Sequence, residues 1–414
     1  MFMSEARSVI GMKGMSALFA LLLFGALVRS AHADTACPAA NGALSTDAQD
    51  NSAAFSKLLE SCAGQVIRLP PGTFVFRPAG YARGFTLAGG TTLEGAGGGG
   101  TVLKIADTGS FAALLWITQS RVTVRNLRLE GSHYDSGCGR GLDYGHAINV
   151  YSDRTASAGI EDITISDNSF VDFNGMHWIS LNAADGSPGI GHHGLIAISK
   201  NRFVSTAALT GGCADRGMGY SVTMISVHGS DDSAHGLVEN VSISSNSFEA
   251  GYVKQAVSVW SGTLRIDVQN NVIRDAGMRL PAASGELGRY AINVYHSAHE
   301  KPGLLPSDVH IVGNTIENPY SCGVYVAAGR RIEIAHNRIS GQRDPFDVTL
   351  PKGGIALNHA EDSTVLDNEL ENNHIGITSV VGTVHLEGNR ITPAPGGIRS
   401  KIWHSDHAPP DIER

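Results

Sequence analysis

The sequence predicts an all-β protein, a single-stranded parallel β-helix of about ten or more coils with a short N-terminal capping helix. One complete coil is visible at 323–341, GVYVAAGRRIEIAHNRISG. Apolar residues alternate there with period two, which is the pattern of β-strands. A corner at 327–331 separates the first two strands, and Asn337 stands at a bend before the third. Three short strands in each period, with no helical pattern between them, indicate a solenoid of strands.

An asparagine recurs at one point of this motif along the chain. The eight copies are Asn168, Asn201, Asn246, Asn271, Asn314, Asn337, Asn368 and Asn389, at spacings of 33, 45, 25, 43, 23, 31 and 21 residues. The short spacings give the length of a plain coil, and the long ones are coils with inserted loops. Stacked amides can hydrogen-bond along the solenoid axis. We therefore predict an asparagine ladder, with Asn126 as an earlier member.

The first 33 residues have the pattern of a signal peptide. Arg7 and Lys13 precede an apolar run at 17–28, and Ala31-His32-Ala33 matches a cleavage signal. The run is short for a membrane span, so no membrane anchor is expected. The sequence predicts export to the periplasm or beyond, with a mature chain that begins at Asp34.

An N-terminal cap is predicted over 34–76. Residues 45–62 have a helical pattern in which Ser45, Thr46 and Asp47 could cap the N-terminus. VIRLPPGTFVF (66–76) follows as a strand, a Pro-Gly turn and a strand. This entrance resembles that of the pectin-lyase-like superfamily, secreted right-handed parallel β-helices that act on polysaccharides. The resemblance implies that the helix covers the open end of the solenoid, but it names no reaction. The β-helix is expected over 77–401 and a polar tail over 402–414.

Five cysteines follow the predicted cleavage site, and export permits disulfides. Cys37 and Cys62 could close the cap, and Cys138 and Cys213 lie in similar loops, so we predict these two pairs. Cys322 is then left as a buried thiol. The sequence alone leaves the connectivity open.

The charge balance argues against one class of partner. The formal net charge is −8, so nucleic acid is a poor partner, and a polyanionic substrate would need a local basic patch. His192 and His193 lack further ligands at metal spacing, so no cofactor is expected. Acidic loops that hold Ca²⁺ are the alternative. The oligomeric state is left open.

Long predicted loops flank the first strand of each coil between 146 and 308, and they would wall a groove over that strand. Alternation places amides, hydroxyls and aromatic rings on the outward face, which suits sugars. An ordinary solvated sheet face is the alternative. The predicted substrate-binding residues are Asn149, Tyr151, Trp178, Asn182, Trp260, Asn293, His296 and Tyr325.

Charged and titratable residues gather at the rim of this predicted groove. Position along the coils selects a central set of candidate catalytic residues: Asp153, Arg154, His228, Asp231, Asp232 and Tyr295.

Three functions fit this set. A polysaccharide lyase needs a base and an acid, for which His228 or Tyr295 would serve, and a cation such as Arg154, Arg289 or Lys254 for the uronate carboxylate. A glycoside hydrolase or glycosyl-transferring enzyme needs two carboxyls, such as Asp185 with Asp231 or Asp153 with Asp232. A non-catalytic carbohydrate-binding or exopolysaccharide-export protein needs only the aromatic platform. The polar rim favours an enzyme over a binding protein, and the histidine, tyrosine and arginine content of the groove favours a lyase over a hydrolase.

Overall fold

The computed structural model describes residues 36–37, 42–78, 80–132, 145–173, 175–206, 223–231, 235–280, 288–296, 304–343 and 352–402. Within these ranges the chain forms one helix and thirty strands, and 28 of the strands join in one parallel sheet wound into coils. The predicted right-handed parallel β-helix is thereby confirmed. The predicted signal peptide lies outside the described residues, as do Cys138, Cys213, Asp232 and residues 403–414.

Three walls make up each coil, and strands of the same wall pair in parallel from coil to coil. Wall 1 contains the strands Phe85–Leu87, Ala113–Ile117, His146–Ser152, His177–Ala183, Thr223–His228, Gln255–Val259 and Tyr290–Val294. Wall 2 contains Val66–Arg68, Thr92–Glu94, Val122–Arg125, Ile163–Ser166, Ile196–Ser199, Val238–Ser244, Thr263–Gln269 and Ser307–Val312. Wall 3 contains Gly72–Phe76, Thr101–Ile105, Arg128–Glu130, Ser169–Val171, Arg202–Val204, Ser247–Glu249, Val272–Arg274, Thr315–Glu317 and Arg338–Ser340.

Toward the C-terminus the strands continue around the corners from one wall to the next. These long strands are Cys322–Ala335, Gly353–Leu366, Glu369–Glu387 and Arg390–Ile402. A separate two-stranded sheet pairs Gly80–Ala82 with Gly109–Phe111. No helix among the described residues combines the length and the apolar character that a membrane crossing requires.

The core consists of inward side chains stacked in register. Phe170, Phe203 and Phe248 of wall 3 lie in nearly parallel planes, with ring centroids 4.8 and 4.7 Å apart. Ile273 and Ile316 continue this row on the next coils and are fully buried. Each such side chain contributes about 1.5–3 kcal/mol by leaving water, so a repeated apolar row stabilises every coil against its neighbour.

The predicted asparagine ladder is present over all eight members, Asn168 to Asn389. Each side-chain Nδ2 donates to the Oδ1 of the next member at 2.9–3.1 Å. The same Oδ1 also accepts the backbone N–H of the preceding member. The ladder therefore satisfies its own buried polar groups.

Asn126 is not a member of this ladder. The backbone N–H of Leu127 donates to Asn168 Oδ1, so Leu127 occupies the ladder position. Asn126 lies one residue earlier and has φ 59°, like Asp167, Lys200 and Ser245 at the same place on later coils. Asparagine tolerates this left-handed conformation better than most residues, which explains its presence there without a ladder role.

The N-terminal cap is an α-helix at Ser52–Ser61. It begins later than predicted, because Asn51 is the N-cap and Ser45, Thr46 and Asp47 precede the helix. Buried Phe55 packs on the rings of Phe76 and Phe85, with centroids 5.3 and 4.9 Å away, so the helix covers the apolar end of the first coils.

The cap is closed by a disulfide between Cys37 and Cys62, which confirms one predicted pair. Cys322 is a buried thiol, as predicted. The predicted Cys138–Cys213 pair falls outside the described residues.

Candidate functional site

The outward face of wall 1 carries two rows of polar and aromatic side chains. We call the first the floor row; its register partners on consecutive coils are Asn149, Ser180, Ser226, Ser258 and Asn293. We call the second the rim ladder; it consists of Tyr151, Asn182, His228, Trp260 and Tyr295. The floor row is buried although it points away from the core, whereas the rim ladder is half-buried. Together the two rows run along the solenoid axis on the outward face of wall 1, and we call this surface the groove.

The floor row contains buried polar atoms without partners. Asn149 Oδ1, Ser226 Oγ and Asn293 Oδ1 are enclosed, and none has a hydrogen-bond partner within the described part of the chain. These residues are only 8, 1 and 3% exposed. A buried polar atom that makes no hydrogen bond costs about 1–3 kcal/mol. These three oxygens therefore keep unused hydrogen-bonding capacity.

Titratable and aromatic groups meet at the centre of the rim ladder. His228 Nε2 lies 2.8 Å from Asp231 Oδ1, so the carboxylate fixes the orientation of the imidazole. The Trp260 ring lies between its neighbours, with its centroid 5.7 Å from that of His228 and 4.5 Å from that of Tyr295. Trp260 Nε1 is buried and has no partner among the residues described. An imidazole and a phenol thus flank one aromatic ring.

A hydrogen-bonded chain runs beside the rim ladder and crosses three coils. Arg154 Nε donates to the carbonyl oxygen of Asp185 at 2.7 Å on the next coil. The Asp185 carboxylate accepts the hydroxyl of Ser230, which lies two residues after His228. The predicted residues Arg154, His228 and Asp231 therefore lie on one side of the groove.

Asp153 accepts hydrogen bonds within its own turn. Its Oδ1 accepts the backbone N–H and the hydroxyl of Thr155 at 2.8 and 2.6 Å. These bonds, mainly that of the Thr155 hydroxyl, lower the pKa of the Asp153 carboxyl. The side chain thus stabilises a turn at the rim, and Asp232, its proposed partner in a carboxyl pair, lies outside the described residues.

His177 is a further residue of the groove, which the sequence prediction did not include. Burial, with smaller contributions from the charges of His146 and His228, holds the pKa of the His177 imidazole well below its ordinary value of 6.5. The rings of His146 and His177 stack with centroids 6.0 Å apart. The imidazole of His177 is therefore neutral near neutral pH. Its position at the start of a wall 1 strand, level with His146, was the available signal.

Two predicted substrate-binding residues, Trp178 and Tyr325, are buried against other aromatic rings. Trp178 is 0% exposed and packs between Phe173 and Phe203, with centroids 6.2 and 6.4 Å away. Trp178 and the next residue, Ile179, both point toward the core, so the period-two alternation fails at this end of the strand. Tyr325 is also buried, against the ring of Tyr290 at 4.5 Å.

The remaining candidates lie at the edges of the groove. Half-buried His296 has its Nδ1 2.9 Å from Ser261 Oγ. Arg289 is buried over the ring of Tyr320 at 4.5 Å, and burial together with the Arg289 charge lowers the pKa of the half-buried Lys254. Arg154 is therefore the most exposed of the three predicted carboxylate-binding cations.

Trp116 is an aromatic residue of the groove that the prediction missed. It is the register partner of Asn149 on the preceding coil, and its ring meets that of Tyr151 edge to face at 6.3 Å. The signal was present in the sequence, because Leu115 and Ile117 point inward and leave Trp116 on the outward face. Across the described ranges, no group of three or more His, Cys, Asp or Glu side chains is placed to hold a metal ion.

Comparison with known proteins supports the fold. Residues 256–404 match the family described as a right-handed beta helix region. No curated protein matches the chain in sequence.

Three solved structures illustrate the range of proteins with this architecture. The A-module of the mannuronan C-5 epimerase AlgE4 of Azotobacter vinelandii superposes with a TM-score of 0.60 at 16% identity, over 88% of this chain and 93% of that one. The surface adhesin PfbA of Streptococcus pneumoniae gives 0.53 at 14% identity, over 85 and 88%. A tailspike protein of the E. coli bacteriophage HK620, in complex with a pentasaccharide, gives 0.56 at 12% identity, over 87% of this chain and 62% of that one. The chain thus has the right-handed parallel β-helix fold.

Proposed function

We propose that the protein is an exported enzyme that cleaves an acidic polysaccharide by β-elimination at a uronate unit. The observation that carries this proposal is the rim ladder, in which the His228–Asp231 pair and Tyr295 flank Trp260. Two structural neighbours add support through their own ligands, since one is a mannuronan epimerase and the other binds a pentasaccharide. The Cys37–Cys62 disulfide suits an oxidising compartment outside the cytoplasm.

The reaction requires one proton to leave the sugar and one to arrive. His228, oriented by Asp231, removes the proton from C5 of the uronate. The electron pair of that C–H bond forms the C4–C5 double bond, and the C4–O4 glycosidic bond breaks. The Tyr295 hydroxyl gives its proton to the departing oxygen. His228 and Tyr295 stand two coils apart, about 10 Å along the solenoid axis, so a sugar ring over Trp260 would lie between them.

The charge on the uronate carboxylate must be neutralised before C5 can lose a proton. Arg154 is the cation we assign to this role, because its side chain crosses to Asp185 on the next coil, toward His228. The hydrolase alternative is less well supported, since each described carboxylate of the rim already has a partner. Asp153 binds Thr155, Asp185 binds Ser230 and Asp231 binds His228.

The test is to incubate the mature protein, residues 34–414, with acidic and neutral polysaccharides. Reducing ends are followed together with the ultraviolet absorbance of an unsaturated product. We expect both signals to rise with an acidic polysaccharide and to be unaffected by a metal chelator. His228→Ala should lower kcat by about 10²–10⁴-fold, the usual contribution of an acid–base group, and Tyr295→Phe should act in the same direction.

His310→Ala is the matched control. His310 Nδ1 lies 2.8 Å from Asp267 Oδ1 on wall 2, so this pair has the same chemistry outside the groove, and its loss should leave activity unchanged. Reducing ends without the absorbance would instead indicate hydrolysis. Retention of a polysaccharide with neither signal would indicate a binding protein, and either result contradicts the lyase proposal.

A further inference from the structure

The N-terminal end of the groove holds a second cluster of aromatic, polar and cationic side chains. It lies on the coils that carry Trp116 and Tyr151, before the His228 coil. The register places Trp116 three coils from His228, a distance of about 14 Å along the axis. No step of the proposed reaction uses this cluster.

The Trp116 indole is held in one orientation. Its Nε1 donates to the carbonyl oxygen of Arg83, and its ring meets the edge of Tyr151 at 6.3 Å. A fixed indole next to a phenol offers apolar ring surface for the C–H face of a sugar. Because the indole N–H is already bonded, sugar hydroxyls must find other partners here.

Asn149 provides such a partner. It lies beside Trp116 in the register and two residues before Tyr151. Its Oδ1 is buried and has no hydrogen-bond partner in the described ranges. A carbonyl oxygen accepts hydrogen bonds only, so it is matched to a sugar hydroxyl.

Arg83 supplies positive charge to the same place. Its guanidinium carbon lies 5.9 Å from the centroid of the Trp116 ring. Within the described part of the chain, Arg83 forms no close ion pair, and its charge acts at longer range on Asp153 of the Tyr151 coil, where it helps to lower the pKa of the carboxyl. The chain as a whole carries a net charge of −8, so a polyanion is repelled at long range and depends on local cations for attraction.

We propose that Arg83, Trp116, Asn149 and Tyr151 form a subsite for an acidic sugar unit, three coils from the reaction centre. This inference rests on the proposed function, since it assumes that the groove binds an acidic polysaccharide. It adds that the substrate runs along the solenoid axis and must be long enough to reach from His228 to Trp116. Short oligosaccharides that cannot reach the subsite bind without its help.

The test measures binding, which does not depend on turnover. Titration calorimetry would compare the wild type, Trp116→Ala and Arg83→Gln with long mannuronan and polygalacturonate chains, with a disaccharide of each, and with neutral dextran. Arg68→Gln is the control, since Arg68 is exposed at the same end of the solenoid but lies on wall 2, where it pairs with Glu94.

We expect both groove variants to bind a long acidic chain about tenfold more weakly than the wild type, while their affinity for the disaccharide stays unchanged. Arg68→Gln should bind like the wild type. If Trp116→Ala unfolds at a lower temperature than the wild type, the test rests on the binding measured for Arg83→Gln.

Equal binding of all variants to a chain that the wild type retains would overturn the subsite and leave the proposed function intact. If Trp116→Ala weakens binding of the long acidic chain and Arg83→Gln does not, the proposed preference of the subsite for an acidic sugar would be overturned. A wild type that binds no acidic chain would overturn both proposals together.

Discussion

The protein uses buried asparagine in two opposite ways. In the ladder at the turn between walls 2 and 3, Asn271 donates to Ile243 and Asn314 and accepts two bonds from Asn246, so its side chain is saturated. In the floor row of the groove, Asn149 is buried nearly as deeply but its Oδ1 is left without a partner among the described residues. A saturated buried amide contributes to stability, whereas an unsaturated one costs stability and keeps its capacity for a ligand.

The largest effect is expected in the ladder. Asn271→Ala removes four hydrogen bonds and leaves the amides of Asn246 and Asn314 buried and incompletely bonded, so the free energy of unfolding should fall by about 3–5 kcal/mol. Denaturant unfolding of both proteins measures the difference.

Asn126→Gly is the control for the ladder variant. Glycine accepts the φ of 59° at this position, and within the described ranges the Asn126 side chain makes one long hydrogen bond, of 3.5 Å, to Glu94. We expect a change below about 1 kcal/mol. A loss of equal size in both variants would show that the stacking of the amides gives no special stability.

The ladder residues show how much of the fold could be predicted from the sequence. Recurrence of Asn168 and its partners predicted the coil length and the ladder, because identical buried environments on every coil select identical residues. Asn126 misled the prediction because asparagine also favours the left-handed position one residue earlier. Trp178 misled the prediction because the first residues of a wall 1 strand turn inward together, which a period-two pattern does not describe.

The groove was harder to predict than the ladder, since its residues differ from coil to coil. Alternation alone placed Asn149, Tyr151, His228, Trp260 and Tyr295 on one face. It gave no information on which polar atoms are satisfied, and so it missed the distinct environment of His177. That information depends on how neighbouring coils cover each side chain.

The next effect separates two histidine–carboxylate pairs, one in the groove and one on wall 2. Asp231→Asn should lower kcat on an acidic polysaccharide by about tenfold to a hundredfold, because the amide no longer holds His228 in the orientation that the reaction uses and no longer stabilises the imidazolium that forms when His228 takes the proton. Asp267→Asn changes the equivalent partner of His310 and should leave kcat unchanged. Steady-state kinetics of both variants would decide, and equal rates for Asp231→Asn and the wild type would remove the pair from the mechanism.

A smaller effect is expected at the floor row. Asn149→Ala removes the unpartnered oxygen, so we expect the free energy of unfolding to change by less than about 1 kcal/mol while affinity for a long polysaccharide falls about tenfold. Unfolding and titration calorimetry on the same preparation measure the two quantities. A stability loss as large as that of Asn271→Ala would show that Asn149 serves the fold, and the contrast between ladder and groove would fail.

The smallest effect concerns the pH dependence of stability, which His177 links to the groove. Because burial holds its pKa well below the ordinary value, the folded state binds fewer protons than the unfolded state once the pH falls below about 6.5. The contribution of neutral His177 to the free energy of unfolding is therefore fully present above this pH. It is lost as the pH falls toward the folded-state pKa. Between about pH 7 and pH 5, the wild type should lose more unfolding free energy than His177→Gln, which does not titrate.

His385→Gln controls for the removal of a histidine as such, since His385 is exposed and paired with Glu387 outside the groove. Its unfolding free energy should follow the wild-type pH profile. Parallel profiles for the wild type and His177→Gln would mean that His177 gains a proton in the folded state without penalty. In that case the groove around it is more hydrated than the buried floor row implies, and its unpartnered oxygens would be satisfied by water rather than reserved for a sugar.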